Sequence, residues 1–131
     1  MGNEFRCAFF TEEYESTLSF YREMLGLEVG ESWDRAPDDK GTIFLAGSGM
    51  IEVLTRPRHD RSWVWSKEKP RGFAIVIELD DVDAFYARIL EKEVAVAAAI
   101  ADWEWGHRSF RIEDPNGAML YFYSVTEGAH K

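Results

Sequence analysis

The sequence predicts an α+β fold in which two paired β-α-β-β-β modules form curved, mixed β-sheets around a cleft. The order of short apolar stretches and one helical stripe occurs twice along the chain. Five residues are also matched by the same residue types 65 positions later, namely Phe20, Tyr21, Leu25, Glu28 and Val29. Because this offset is half of the 131-residue chain, the repeat indicates two modules rather than a solenoid.

The first module is predicted over about residues 4–56. Its elements are a strand, a helix and three further strands, over residues 5–11, 14–25, 27–33, 42–46 and 50–55. In the helix, Leu18, Tyr21 and Leu25 recur at helical spacing, which predicts one buried stripe. Gly26 stands where a glycine commonly ends a helix. The chain is therefore expected to turn back into the sheet there.

The second module is predicted over about residues 72–125, after a polar connector over 57–71. Its strands are expected over residues 72–79, 94–101, 109–113 and 119–125. Between the first two strands, Asp81 caps a helix whose apolar stripe is Val82, Phe85, Tyr86 and Ile89. The last two strands are joined by a turn over 114–117. The second module thus repeats the order of the first.

Charge and aromatic content indicate the kind of partner. The chain has 15 Lys and Arg against 24 Asp and Glu, a net charge of −9. This balance argues against nucleic acid or an anionic membrane and favours a positively charged small molecule. Aromatic residues make up 15% of the chain and include five tryptophans, which indicates a use for rings beyond the core.

The sequence also predicts a cytoplasmic protein. The longest apolar run, Val94–Ala101, is far shorter than the roughly 18 residues needed to cross a bilayer. The N-terminus lacks the pattern of a secretory signal, and the single Cys7 cannot form an internal disulfide. Cys7 is interpreted as a small buried hydrophobic residue, with a nucleophile as the alternative.

Four segments resemble the vicinal oxygen chelate superfamily of glyoxalase I, bleomycin-resistance proteins and extradiol dioxygenases. They are Ser19–Leu27, Asp80–Asp83, Trp105–Phe110 and Asp114–Gly117. The resemblance covers nearly the whole chain, which is interpreted as one such domain over 1–131. It implies a cleft in each paired module and a homodimer.

The resemblance also locates the positions that hold a metal in some members, which fall here on Arg6, Glu52, Ala74 and Tyr121. Only Glu52 is a suitable ligand, because alanine has no donor atom and arginine is a permanent cation. No metal and no cofactor are therefore expected. Instead, Arg6 and Glu52 are expected to form an ion pair at the cleft floor, the alternative being that either side chain points to solvent.

Because side chains alternate along a strand, residues at even spacings from those positions are also expected to line the cleft. The added residues are Ala8, Phe10, Met50, Leu54, Val76, Glu78, Met119 and Tyr123. A packed core is the alternative interpretation. Five tryptophans near strand ends or in the connector are expected to form walls or lids, or else to anchor loops and a dimer contact. They are Trp33, Trp63, Trp65, Trp103 and Trp105.

Bleomycin-resistance members bind a basic, partly aromatic antibiotic without metal, and the chain resembles them. The sequence thus predicts a metal-independent protein that sequesters an aromatic, cationic molecule. The predicted ligand-binding residues are Arg6, Phe10, Trp33, Glu52, Trp63, Trp65, Trp103, Trp105, Met119, Tyr121 and Tyr123. His107 and Arg108 are interpreted as a surface pair of strand residues, with ligand contact by His107 as the alternative.

Three other functions remain open. The first is a lyase or isomerase with Glu52 as general base and Arg6 or Tyr121 stabilising an oxyanion. A guanidinium beside Glu52 would weaken it as a base, which disfavours this function. The second is a metal-dependent glyoxalase or dioxygenase, disfavoured by the ligand count. The third is a structural or regulatory partner of another protein, for which the tryptophans would form the surface.

Overall fold

A computed structural model describes residues 3–56 and 68–126. The chain forms two compact units, residues 1–69 and residues 70–131. Most of the predicted connector, residues 57–67, lies outside the described residues.

The first unit consists of one helix and a four-stranded mixed sheet. Its elements are β1 Arg6–Thr11, α1 Tyr14–Ser19, β2 Glu28–Ala36, β3 Asp39–Ala46 and β4 Gly49–Thr55. The strands are ordered β1-β4-β3-β2, with β1 parallel to β4 and the other pairs antiparallel. This is the predicted β-α-β-β-β order. The two strands around Pro37 are longer than expected, because only residues 37–38 form the turn.

The end of the first helix departs from a regular α-helix. After α1, Phe20–Met24 form a π-helical turn, in which the amide of Leu25 donates to the carbonyl of Phe20 over 2.9 Å. Gly26 follows with φ of +73°, a backbone conformation that favours glycine. The predicted helix end at Gly26 is therefore confirmed.

The second unit has the same topology. Its elements are β5 Ile75–Glu78, α2 Val82–Glu91, β6 Val96–Asp102, β7 His107–Glu113 and β8 Met119–Val125. The strands are ordered β5-β8-β7-β6, again with one parallel pair. Asp81 Oδ1 accepts from the amide of Ala84 over 3.0 Å, which confirms the predicted helix cap. Asp114 Oδ1 accepts from two amides of the turn that precedes β8.

The repeat seen in the sequence reappears in how each helix packs on its sheet. Tyr21 contacts Phe44 of β3 with ring centroids 5.7 Å apart. In the second unit Tyr86 contacts Phe110 of β7 at 4.8 Å. The predicted α+β fold class with two β-α-β-β-β modules is confirmed.

Each sheet has a helix face and an opposite face, the latter being the side away from the helix of its own unit. Buried aromatic and aliphatic side chains form a core between helix and sheet in each unit. They include Tyr21, Leu25, Phe44, Ile51 and Val53 in the first unit, and Val82, Ile89, Phe110, Leu120 and Phe122 in the second. Within the described residues, no helix combines the length and apolarity needed to cross a membrane.

Candidate ligand-binding site

The opposite face of the first sheet carries the residues that strand alternation predicts. Paired strand residues project to the same side of a sheet, and the register pairs Arg6 with Met50, Ala8 with Glu52 and Phe10 with Leu54. Phe9, one position along, contacts Tyr21 on the helix face. The predicted positions on β1 and β4 therefore share one face.

Arg6 and Glu52 form the predicted ion pair. Arg6 Nη1 lies 3.8 Å from Glu52 Oε1. The Glu52 side chain is 17% exposed and that of Arg6 40%, so the carboxylate is the more sheltered partner. Glu52 thus has a cationic neighbour on this face, while Arg6 remains within reach of solvent.

Trp33 lies on the same face, on β2. It pairs with Gly41 of β3, and its indole covers that glycine so closely that a Cβ there would overlap three indole atoms. The guanidinium of Arg35 lies 5.7 Å from the indole centroid, within the range of a cation–π contact. The ring of Trp33 is therefore held in place and already contacts a cation of the protein.

The opposite face of the second sheet is richer in polar aromatic groups. The register pairs Val76 with Tyr121 and Glu78 with Tyr123 across β5 and β8. On β7, Arg111 pairs with Tyr121 and Ser109 pairs with Tyr123, so they lie on this face too. By alternation His107, two residues before Ser109, projects to the same side.

Four of these side chains, Glu78, His107, Tyr121 and Tyr123, form what we call the His107 cluster. His107 Nδ1 lies 3.1 Å from the hydroxyl of Tyr121. The imidazole stacks on the ring of Tyr123 with centroids 3.9 Å apart and an angle of 17° between planes. The hydroxyl of Tyr123 donates to Glu78 Oε1 over 3.2 Å. The cluster spans three adjacent strands and joins a carboxylate, two phenols and an imidazole.

His107, interpreted as a surface strand residue, lies in β7 as expected, and its ring is half-buried and stacked on Tyr123. The predicted strand began at Ser109, whereas β7 begins at His107. The sequence contains a signal for the earlier start, because the polar residues His107, Ser109 and Arg111 alternate with Phe110 and Ile112 as in a strand. Arg108 does point the other way, where its guanidinium donates to Asp83 and Asp102.

The remaining predicted residues divide among three places. Met119 begins β8 on the same face as Tyr121. Trp103 and Trp105, in the turn between β6 and β7, stack on each other with centroids 5.0 Å apart and are 41% and 54% exposed. Trp63 and Trp65 lie outside the described residues.

The residues at the four metal-ligand positions do not fit a metal ion. In the first unit, the cation of Arg6 neighbours Glu52, the one suitable ligand. In the second unit, Ala74 has no donor atom and Tyr121 is hydrogen-bonded to His107. Within residues 3–56 and 68–126, no three His, Cys, Asp or Glu side chains are grouped closely enough to hold a metal.

A concave region lies at the start of α1. This cavity of about 400 Å³ is lined by Glu12, Glu13, Tyr14, Glu15, Ser16, Pro37, Lys40 and Thr55. Two of its carboxylates have cationic neighbours: Glu12 lies 2.9 Å from Arg56, and Glu15 lies 3.9 Å from Lys40. The region is a surface ion-pair network.

Among the described residues, the groups with shifted pKa values do not include an activated nucleophile. Burial raises the pKa of the Cys7 thiol, which disfavours the thiolate that a nucleophile requires. Hydrogen bonds from Arg108 lower the pKa of Asp83, and both groups are at the protein surface. These shifts belong to packing and to a surface ion pair, outside the His107 cluster.

Comparison with known proteins places the chain in a family. The family model of the Glyoxalase/Bleomycin resistance protein/Dioxygenase superfamily matches residues 5–122. The chain belongs to this superfamily. Membership agrees with the two β-α-β-β-β modules, but the superfamily name itself covers both binding proteins and enzymes. No curated protein matches the chain by sequence.

Solved structures of the superfamily fold are similar over nearly the whole chain. TioX from Micromonospora sp. ML1 has a TM-score of 0.76 and 14% identity, covering 95% of this chain and 99% of that one. TnmS3, an antibiotic binding protein from Streptomyces sp. CB03234, has a TM-score of 0.74 and 19% identity, covering 96% and 98%. Lactoylglutathione lyase from Agrobacterium tumefaciens has a TM-score of 0.67 and 20% identity, covering 95% and 94%.

Proposed function

We propose that this chain is a metal-independent binding protein that sequesters an aromatic, cationic small molecule. The observation that carries the proposal is the His107 cluster, in which aromatic rings and a carboxylate share one sheet face. Rings offer stacking surfaces to a flat ligand, and their electron-rich faces attract cations. Glu78 supplies a negative charge beside Tyr123. The cluster therefore offers partners for both the flat ring system and the positive charge of such a ligand.

The charge of the whole chain supports a cationic ligand. A net charge of −9 attracts cations over long range and speeds their encounter with the protein. Trp33 supports an aromatic site in a second way, because its ring already contacts the guanidinium of Arg35 at 5.7 Å. We propose that Phe10, Trp33, Trp103, Trp105 and Met119 supply apolar contacts, and that Arg6 and Glu52 orient polar groups of the ligand. The predicted roles of Trp63 and Trp65 remain part of the proposal.

Metal independence is supported by the donor set at the four ligand positions, which contains one carboxylate. The alternative of a lyase or isomerase with Glu52 as general base is weakened by Arg6, since a neighbouring guanidinium stabilises the carboxylate and makes it a poorer base. The solved structures include both an antibiotic binding protein and a lyase. Fold alone does not choose between these classes, and the ligand positions favour binding.

The proposal also includes a homodimer in the cytoplasm, as the sequence predicts. A single cysteine suits a reducing compartment. Light scattering of the purified chain tests the dimer directly, because a monomer mass over the working concentration range would contradict it.

The binding proposal is tested by isothermal titration calorimetry in buffer containing a metal chelator. An aminomethyl-fluorene serves as the flat cation and a fluorene carboxylate as the flat anion. We expect saturable, one-site binding of the cation and weaker binding of the anion. Absence of binding by both, or cation binding that requires added Zn²⁺, Ni²⁺ or Mn²⁺, would contradict the proposal.

A matched pair of variants locates the charge that selects the cation. Glu78→Gln removes the carboxylate of the His107 cluster, and we expect about tenfold weaker binding of the cation, the usual effect of losing a charged contact. Glu91→Gln makes the same change of charge at the exposed end of α2 and should leave the affinity unchanged. Equal effects of the two variants would show that only the net charge matters.

A further inference from the structure

We infer that His107 selects the ligand by donating a hydrogen bond from Nε2 to an acceptor oxygen on the ligand's ring system. The ligand class is thus a flat cation that carries a carbonyl or a comparable acceptor. The inference rests on the proposed function and goes beyond it, because stacking and charge alone would accept any flat cation.

The orientation of the imidazole is fixed on two sides. One ring nitrogen, Nδ1, is bonded to the Tyr121 hydroxyl over 3.1 Å, and the ring plane lies on Tyr123 at 3.9 Å. Turning the ring over would break the hydrogen bond, and rotating it out would break the stack. A ring held in this way presents Nε2 in one direction, as a specificity-determining group requires.

The partner of Nδ1 determines which nitrogen carries the proton. A phenol is the stronger donor and an imidazole nitrogen the stronger acceptor, so the favoured arrangement has the Tyr121 hydroxyl donating to Nδ1. The proton of neutral His107 then lies on Nε2. If His107 is protonated, both nitrogens carry hydrogen and Nε2 is still a donor. Both states therefore demand an acceptor at Nε2.

The ligand is the partner that this donor lacks. Within residues 3–56 and 68–126, the hydrogen bond with Tyr121 is the one that the His107 side chain makes. The side chain is half-buried, so a ligand stacked on this face would exclude water from Nε2. A donor that loses water without gaining a partner is unfavourable, so a ligand without an acceptor at this point is disfavoured.

The charged neighbours of the cluster agree with a ligand that carries both a positive charge and an acceptor oxygen. Glu78 is linked to Tyr123 and is an acceptor, so it suits the ammonium of the ligand rather than its oxygen. Arg111 pairs with Tyr121 and adds a second donor residue to the same face. Donors therefore lie on the β7 side of the tyrosines and the acceptor on the β5 side.

The tautomer is tested first, without any ligand. Long-range proton–nitrogen NMR correlations distinguish the two tautomers, and His107→Phe identifies the signals of His107 among the three histidines. We expect the Nε2–H form in the unaltered protein and a mixture of tautomers in Tyr121→Phe. Tyr86→Phe, which removes a hydroxyl on the helix face, should leave the signals unchanged. A predominant Nδ1–H form in the unaltered protein would overturn the inference.

Selectivity is then measured with two flat cations that differ by one carbonyl, aminomethyl-fluorenone and aminomethyl-fluorene. We expect the unaltered protein to bind the fluorenone about three- to tenfold more tightly, the usual effect of one hydrogen bond. His107→Phe, which keeps a ring on Tyr123, should bind both equally. Binding of both by the unaltered protein with equal affinity would overturn the inference and leave the proposed function standing. Binding of neither would overturn both.

Discussion

The two units share one topology and one mode of helix packing, yet their opposite faces differ in chemistry. In both units a helix tyrosine contacts a phenylalanine of the strand next to the parallel pair, Tyr21 with Phe44 and Tyr86 with Phe110. On the opposite faces, the first unit presents the ion pair of Arg6 and Glu52 among apolar groups, and the second presents the His107 cluster. The helix faces of the two units are alike, whereas their opposite faces differ.

The strand registers allow a position-by-position comparison. One row across the sheet consists of Ala8, Glu52 and Ile43 in the first unit, and of Val76, Tyr121 and Arg111 in the second. The next row consists of Phe10, Leu54 and Gly41, and of Glu78, Tyr123 and Ser109. In this second row, the apolar Phe10 and Leu54 of the first unit correspond to the carboxylate of Glu78 and the phenol of Tyr123 in the second.

Packing explains why only one face is constrained. Side chains between a helix and its sheet fill a fixed volume at crystal-like density, so changes there are costly. The opposite face is not bound by the same helix contact. The difference between the units thus separates residues that serve folding from residues that we propose bind the ligand.

The largest expected effect tests the similarity of the two cores. Phe44 is 0% exposed and Phe122 is 1% exposed, so Phe44→Ala and Phe122→Ala should each lower the free energy of unfolding by about 3–5 kcal/mol. Urea unfolding followed by circular dichroism measures this loss. Val76→Ala, at a position 57% exposed, is the control and should change stability little. A negligible effect at either phenylalanine would show that the two cores do not contribute alike to stability.

A smaller effect tests a feature of the first unit. Gly41→Ala places a methyl group into the indole of Trp33 and should lower the free energy of unfolding by about 1–3 kcal/mol. It should also shift the tryptophan emission as the ring moves. Gly49→Ala is the matched control, because a Cβ there meets atoms of Phe5 at ordinary distances, 3.5 Å and 3.6 Å. Equal effects of the two variants would show that Trp33 is not fixed over Gly41.

The ion pair of the first unit should contribute less than either packing term. Arg6 is 40% exposed, and partly exposed pairs contribute about 0.2–1 kcal/mol. A double-mutant cycle with Arg6→Gln and Glu52→Gln measures the coupling by urea unfolding. We also expect Glu52→Gln to weaken binding of the aminomethyl-fluorene less than Glu78→Gln does. The reverse order would move the main charge contact to the first unit.

The smallest effect concerns the link between helix and sheet. In the second unit Arg108 lies 2.9 Å from Asp83 on α2, whereas in the first unit Lys40 lies 3.9 Å from Glu15 on α1. Hydrogen bonds from Arg108 lower the pKa of Asp83 in the folded state. The ion pair therefore contributes fully to stability above a pH of about 3.9, the pKa of Asp83 in the unfolded chain. This contribution is lost as the pH falls through the lower pKa that Asp83 has in the folded state.

Acid titration followed by NMR of the Asp83 carboxyl measures this shift. Arg108→Gln should return the pKa of Asp83 towards its ordinary value and make folding stability less dependent on pH below about 4. Arg88→Gln, on an exposed position of α2, removes the same charge elsewhere and should leave the titration of Asp83 unchanged. A titration of Asp83 that is the same in all three proteins would contradict the assignment.

The sequence by itself determined the elements, their order and the face on which most candidate residues lie. Helical spacing of Leu18, Tyr21 and Leu25 and the glycine at position 26 marked the first helix. The family resemblance located Glu52 and Tyr121, and strand alternation then added Phe10 and Tyr123 to the same face. These signals are local, since they depend on periods of about 3.6 and 2 residues and on turn chemistry. They give the orientation of a side chain but not its neighbours.

Only the tertiary structure decided which of those side chains meet. The stack of His107 on Tyr123, the hydrogen bond of His107 to Tyr121 and the contact of Trp33 with Gly41 each join residues on different strands. Their formation depends on strand register, which the two-residue period of a single strand does not define. The strand β7 begins at His107 rather than at Ser109, and these two additional residues place a histidine on the face of the candidate site.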